Sequence, residues 1–250
     1  MPLFIVKNNP RFCEPLLLSR EDQHHLLNVL RIKKKETILV TDNNGHMAKI
    51  LVVNTNPLAL EVLKILDAPP SIPVTVFLPL IEKERIEWAI EKLCECHITG
   101  IQLITTERTQ SRALSTARLA RLEKIATAAQ KQCHRCDPLI IRPAIRLTSF
   151  KPGTKHLNIA GVMDTDIATT NPHTLQTQLQ DSTTGQVNIF VGPEGGFTNN
   201  ETDFLKTHHC KLICLGQTIL RTETAAILLA GLIKCALISA TRPPVPACSL

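Results

Sequence analysis

V-N-I-F-V-G-P-E-G-G-F-T-N-N-E, Val187 to Glu201, is answered shortly afterwards by K-L-I-C-L-G-Q-T-I-L-R-T-E-T-A-A, Lys211 to Ala226. Each stretch is an apolar run of strand length that ends in a glycine-containing loop, with a helix start behind it. Val187, Ile189 and Val191 alternate with Asn188 and Phe190, the pattern of a mostly buried strand rich in β-branched residues. Gly192, Gly195 and Gly196 let the backbone bend sharply and let a ligand come close. Thr198 and Glu201 have the spacing of a capping box, which predicts a helix from that point. An ordinary tight turn between strand and helix is the alternative. Glu194 weighs against a phosphate loop, because an acid among glycines repels phosphate and suits a cationic or donor-rich ligand.

Working outward, Val74 to Leu80, Ile101 to Thr105 and His156 to Val162 are further strand candidates. Glu82 to Cys96 reads as a helix with Ile86, Ile90 and Leu93 on one face, and Trp88 is taken as a packing residue. Ser115 to Gln132 reads as a second, with Leu119, Leu122, Ala126 and Ala129 inward. Another runs to about His208, then a strand from Leu212 to Leu215, then a long helix from about Thr222 to Ser239. Asn171 to Gln186 is left open between helix and loop. Strands alternating with helices predict an α/β domain with a largely parallel sheet, whose ligands sit at the carboxyl ends of the strands, where both glycine loops lie.

The N-terminal part differs. Short apolar runs at Leu3 to Val6, Thr37 to Val40, Ala48 to Val53 and Leu58 to Ile65 are separated by turn signals, the pattern of a small β-barrel or curled sheet. One helix interrupts it, starting at Ser19 with His25, Leu26, Val29 and Leu30 on a shared face. Arg31, Lys33, Lys34 and Lys35 follow, either gripping phosphates or marking a solvated hairpin. Three prolines within Ala68 to Pro73 predict a stiff spacer. The expected organisation is a barrel over residues 1–68, a linker over 69–73, an α/β domain over 74–240 and a flexible tail over 241–250.

Composition bounds the class. The 250 residues are 44% hydrophobic and 20% charged, as in a soluble globular protein of one large or two modest domains. The apolar N-terminal run is too short for a signal peptide, and Lys234 interrupts the most apolar late segment, so a cytoplasmic protein without a membrane span is expected. Nine cysteines, odd and scattered, do not form a secreted disulfide framework. The pairs Cys94/Cys96 and Cys133/Cys136 lack zinc-knuckle geometry, so no metal is assigned and reduced thiols are expected.

The formal net charge is +6, and residues 101–150 carry all of it, with nine basic side chains against three acidic. Arg118, Arg121, Lys124, Lys131 and Arg135 recur along the predicted helix as a basic stripe, which suits a polyanionic partner; a solvated helix face is the alternative. Phosphate-loop, dinucleotide-turn, nucleophile-elbow and zinc-protease motifs are absent, which sets aside the simplest kinase, dehydrogenase, hydrolase and metalloprotease readings.

The segments V-G-P-E-G-G-F-T with Glu201, and L-G-Q-T-I-L-R-T-E-T-A-A, resemble the signatures of the 16S ribosomal RNA uracil-N3 methyltransferases (RsmE type) of the SPOUT superfamily. H-H-L-L-N-V-L-R (His24 to Arg31), R-I-E-W-A-I-E-K (Arg85 to Lys92), T-E-R-T (Thr106 to Thr109) and, more weakly, Q-K-Q-C-H-R (Gln130 to Arg135) extend the similarity in order over nearly the whole chain. Two departures stand out: Cys96-His97-Ile98 replaces a Leu-Gly-Val-like turn, and Met163-Asp164 lacks a following Pro-Glu, leaving one wall of the ligand pocket undefined.

The resemblance implies a PUA-like, RNA-binding barrel, a SPOUT domain with a trefoil knot, a homodimer, S-adenosylmethionine as methyl donor and 16S rRNA or the small ribosomal subunit as substrate. The candidates for holding the donor are Gly192, Pro193, Glu194, Gly195, Gly196, Leu215, Gly216, Ile219, Leu220, Thr224 and Ala225. Those for RNA are Arg31, Arg85, Arg108, Arg112, Arg118, Arg121 and Arg135. Uracil N3 must lose a proton, and the candidates to take it or to stabilise the deprotonated ring are Glu223 and Arg221; helix capping and a dimer salt bridge are their structural alternatives. A non-catalytic RNA-binding or assembly factor, and a methyltransferase for another RNA position, are the competing functions.

Overall fold

Strand-forming runs and helix faces assemble into two compact units in the computed structural model, which describes residues 1–7, 9–10, 16, 18–66, 71–109, 114–171, 174–175, 177, 179 and 184–241. One unit comprises Met1–Ser71 with Thr127–Pro138, and the other Ile72–Ala126 with the chain from Leu139 onward. Residues 69 and 70 of the expected linker and all of the expected tail after Thr241 lie outside the described residues, as does much of 171–186.

In the first unit β1 (Leu3–Ile5), β2 (Thr37–Thr41), β3 (Met47–Thr55) and β4 (Leu58–Ile65) form a four-stranded sheet in that order. β1 runs parallel to β2, and the other pairs are antiparallel. The core includes Phe4, Leu26, Ile38, Val40, Ile50 and Val52. Helix α1 (Arg20–His24) starts at Ser19, whose hydroxyl accepts from the Asp22 amide. It continues as a π-helical turn, His25–Val29, in which the Leu30 amide donates to the His25 carbonyl. The wider turn breaks the expected shared face: Leu26 is buried, while Val29 and Leu30 are 59% and 42% exposed. The segment from Thr127 is held to this sheet by the Thr41 hydroxyl, which donates to the Cys136 carbonyl (2.6 Å), and by the Gln130 amide, which donates to Asn43 Oδ1 (2.7 Å).

The second unit is a six-stranded, wholly parallel sheet in the order β10-β8-β9-β5-β6-β7. Its strands are β5 (Val74–Pro79), β6 (Gly100–Thr105), β7 (Ile140–Arg146), β8 (His156–Val162), β9 (Gln186–Phe190) and β10 (Cys210–Cys214). Its helices include α2 (Lys83–Glu95), the part of α3 (Thr116–Cys133) up to Ala126, α4 (Asn199–Thr207) and α5 (Thr222–Thr241). α2 buries Ile86, Ala89, Ile90 and Leu93; each large apolar side chain contributes about 1.5–3 kcal/mol by leaving water. Trp88 falls on the opposite side of that helix and is 46% exposed, rather than packed as expected. β7 was not among the strand candidates. Pro143 sits within it, which its place at the sheet edge tolerates.

Candidate functional site

Because every strand of the larger sheet points the same way, the loops after β8, β9 and β10 converge at one edge. They enclose a cavity of about 260 Å³, near the low end of ligand pockets, which begin at about 300 Å³. The glycine loop after β9 turns through a bond from the Gly196 amide to the Pro193 carbonyl (2.8 Å). Gly196 has φ +68°, which favours glycine, and a Cβ there would stand 2.8 Å from Met163 Cε, so the end of that flexible side chain would also have to shift. A Cβ on Gly192 would press on the backbone of Gly196 and Phe197 at 3.2 Å. The Thr222 hydroxyl donates to the Gly192 carbonyl (2.9 Å), tying the start of α5 to the first loop.

The second anchor is the capping box of α4. Thr198 Oγ1 accepts from the Glu201 amide (3.3 Å), and Glu201 Oε2 accepts from the Thr198 amide (3.0 Å). Removing such a cap costs about 1 kcal/mol. The other oxygen of Glu201, a residue only 2% exposed, accepts from the Glu107 amide (2.7 Å), so the same carboxylate fixes the loop after β6. Arg108 completes the tie by donating to the carbonyls of Gly195 and Phe197.

The cavity brings together Gly192, Pro193, Glu194, Gly196, Leu215, Gly216, Leu220 and Ala225 from the expected set. Gly195, Ile219 and Thr224 stand outside the lining, and Ile219 is 80% exposed. The undefined wall is supplied by Gly161, Val162, Met163, Asp164 and Ile167. The position of β8 beside β9 in a parallel sheet was the available signal for that wall. The charged lining residues are Asp164 and Glu194, with apolar walls from Val162, Ile167, Val191, Leu215 and Leu220. An acidic, apolar-walled cavity favours a cation carried on an apolar body and disfavours phosphate.

Arg221 and Glu223 are not part of the lining; each is the chain neighbour of a lining residue, Leu220 or Thr222. Glu223 is 5% exposed. Its Oε1 lies 3.9 Å from Arg85 Nε, and its Oε2 is buried without a hydrogen-bond partner among the described residues. Arg85 also donates to Glu194 Oε1 (3.1 Å) and pairs with Glu82 (3.3 Å). Arg85, expected to hold RNA, therefore joins the cavity acid Glu194 to the buried acid Glu223, a connection no sequence spacing reveals.

The other expected RNA contacts fare unevenly. Arg121 is bidentate on Glu87 (2.6 and 2.9 Å), and hydrogen bonding to this arginine holds the Glu87 carboxyl below its ordinary range. Arg118 reaches the Ile81 carbonyl (3.4 Å). Arg135 needs correction as a surface contact: it is 4% exposed and bonded to Asp137 (2.7 Å), because the chain turns back on the sheet of the first unit there. Arg31 is exposed, with φ +50°, and Arg112 lies outside the described residues.

A parallel α/β sheet with glycine loops at its carboxyl edge and an acidic cavity between them has the layout of a small-molecule-binding α/β domain. The chain belongs to the RNA methyltransferase domain family, whose pattern matches residues 68–234, and residues 18–63 match the RNA methyltransferase PUA domain. It is 29% identical to the ribosomal RNA small subunit methyltransferase E of Rickettsia conorii, over 84% of this chain and 85% of that protein. The protein of the same name from Buchnera aphidicola subsp. Acyrthosiphon pisum is also 29% identical, over 84% and 83%. In fold it is similar to a ribosomal RNA small subunit methyltransferase E from Neisseria gonorrhoeae, solved bound to S-adenosyl methionine, with a TM-score of 0.77 at 24% identity over 94% of this chain and 97% of that one.

Proposed function

We propose that this chain transfers a methyl group from S-adenosylmethionine to N3 of a uridine in 16S ribosomal RNA of the small subunit. The observation that carries the reading is the cavity itself: its charged lining is acidic, as a sulfonium and an ammonium group require, and glycine loops form its floor. The names of the Rickettsia and Buchnera relatives, and the ligand of the Neisseria structure, support the same substrate and donor.

When bound, the donor supplies an activated methyl group, and the protein's task is placement and proton management. Backbone groups of 192–196 and 215–220 would hold the donor, and Glu194, steadied by Arg85, would offer a carboxylate to its positive charge. Glu223 accepts the N3 proton through its unpartnered oxygen, and exposed Arg221 stabilises the negative charge left on the ring.

The finer architecture belongs to the same proposal. The four-stranded sheet closes as a PUA-like barrel that binds RNA, and the chain after β8 threads a trefoil knot, a reading supported by β10 pairing with β8 rather than with β9. The enzyme is a homodimer. Leu228, Gly231, Cys235 and Ile238 recur at helical spacing on α5, and Leu228 and Ile238 are 47% and 49% exposed, an apolar stripe that a second copy would cover. Among the described residues no helix is long and apolar enough to cross a membrane, and a ribosome-directed enzyme works in the cytoplasm.

Calorimetric titration with S-adenosylmethionine tests the donor assignment. Saturable heat is expected; none at millimolar donor leaves a non-catalytic RNA-binding factor as the better reading.

A further inference from the structure

T-E-R-T, Thr106 to Thr109, follows β6 and closes on itself through its two threonines. The Thr109 amide donates to the Thr106 carbonyl (3.2 Å), the Thr106 amide donates to Thr109 Oγ1 (2.9 Å), and the two hydroxyls are bonded to each other (2.9 Å). Both threonines are buried, whereas Glu107 and Arg108 between them are exposed. The Glu107 amide is fixed in turn by Glu201 Oε1 (2.7 Å). Arg108 therefore projects from a short turn whose backbone is bonded on both sides, next to the glycine loop after β9.

Its side chain lies along that loop. Nη1 donates to the carbonyls of Gly195 and Phe197, and a Cβ on Gly195 would stand 3.1 Å from Arg108 Cδ. Gly195, outside the cavity lining, thus leaves room for the arginine and not for the ligand. Nη1 has two hydrogens, and the two carbonyls use both. The N–H groups on Nε and Nη2 have no partner among the described residues, and the guanidinium is in no ion pair there. Arg121 turns this same Nε–Nη2 edge on Glu87, and the edge fits an oxyanion with two parallel bonds. The neighbouring acids are engaged elsewhere. Glu201 accepts the Glu107 and Thr198 amides, Glu194 is paired with Arg85, and Glu107 lines a separate cavity at the ends of β6 and β7.

We propose that Arg108 holds the donor loop with Nη1 and one phosphate of the acceptor RNA with Nε and Nη2, so that donor and RNA each tighten the other's binding. The first cavity opens at the carboxyl edge of the sheet. A uridine that meets the methyl group there brings its backbone over the loops of that edge, where this cation is exposed. Because the guanidinium is planar and rigid, a phosphate on one edge fixes the other edge too, and with it the carbonyls of Gly195 and Phe197. A donor that orders the same loop presents the arginine already placed for the phosphate. Each ligand lowers the ordering cost left for the other, and the effect is reciprocal by linkage. The inference rests on the RNA-methylating reading above and gives its two substrates a shared positioning residue.

The test measures the Kd of the full chain for S-adenosylhomocysteine, which has no methyl to transfer, with and without a saturating fragment of small-subunit rRNA. The fragment's Kd is measured with and without S-adenosylhomocysteine. In the parent each ligand is expected to tighten the other by the same factor, about fivefold or more. Arg108→Lys keeps the charge and loses the two-sided fork, so the factor should fall to about 1 with both ligands still bound. Gly195→Ala, whose Cβ presses on Arg108 Cδ, should lower the factor from the loop side with every charge kept, and it carries the same test if Arg108→Lys unfolds. A purely structural clamp would weaken binding of the donor analogue equally with and without RNA. A plain phosphate contact would weaken RNA binding equally with and without the analogue. Either result overturns the proposal, as does a parent in which neither ligand affects the other; the enzymatic reading survives all three. If the parent binds the analogue and not the fragment, the RNA-methylating reading fails first and the proposal falls with it.

Discussion

With one oxygen 3.9 Å from Arg85 and the other buried without a partner among the described residues, Glu223 holds acceptor capacity that the fold leaves unspent. Leaving a buried acceptor unsatisfied costs about 1–3 kcal/mol, and such a cost is explicable where an incoming donor meets the group. Glu223→Gln is therefore expected to lower kcat about 100-fold with the donor Kd nearly unchanged; an equal loss of both would make it a binding or folding residue. Gly196 makes the complementary case for the cavity floor. Gly196→Ala must hold φ +68° with a side chain and displace Met163, which costs about 1–2 kcal/mol for the backbone alone. Denaturant unfolding and donor calorimetry should show lower stability and weaker binding together, and an alanine variant with parental affinity would place the donor elsewhere.

At the scale of elements, the strands of both sheets were legible wherever β-branched residues alternated between turn signals. β1 to β4 fall on the expected runs, and the capping box of α4 was readable from Thr198 and Glu201 alone. β7 was not, because Pro143 breaks the pattern and only its edge position makes that proline acceptable. The split face of His25–Val29 was equally hidden, since a π turn has no residue signature in that run. The turn between β2 and β3 carries its own prediction. Burial opposes ionisation of Asp42, but hydrogen bonds from Asn44 and His46 outweigh it and hold the carboxyl below its ordinary value. The unfolded chain therefore takes up the proton first. The stabilisation is complete above the unfolded pKa of about 3.9 and disappears as pH falls through the lowered folded value. Asp42→Asn should flatten this acid limb of the stability curve, measured by denaturant midpoint against pH, and an unaltered limb would show that the turn does not hold the charge.

For the whole molecule, the order of the glycine loops and the parallel sheet could be read from residues, whereas nothing in the sequence assigned Thr127–Pro138 to the first unit. What could not be read was which distant residues meet. Arg85 and Glu223 are separated by most of the larger unit, and the arginines of α3 looked like a free stripe until Glu87 and Ile81 were placed beside them. Local periodicity fixes a side chain's direction on its own element and contains nothing about its partner. The apolar stripe on α5 is likewise visible only once the inward residues Ala226, Leu229, Ala230 and Ile233 are buried. Leu228→Glu is expected to convert a dimer into a monomer by light scattering without unfolding it; a parental mass would remove this stripe from the subunit interface. The most direct measurement is incubation of the purified protein and S-adenosylmethionine with small subunits from cells lacking the gene, followed by mass-spectrometric mapping of rRNA nucleosides. Methyl incorporation as 3-methyluridine at a single position in the small-subunit rRNA is predicted; no incorporation, or methylation of another atom or base, would contradict it.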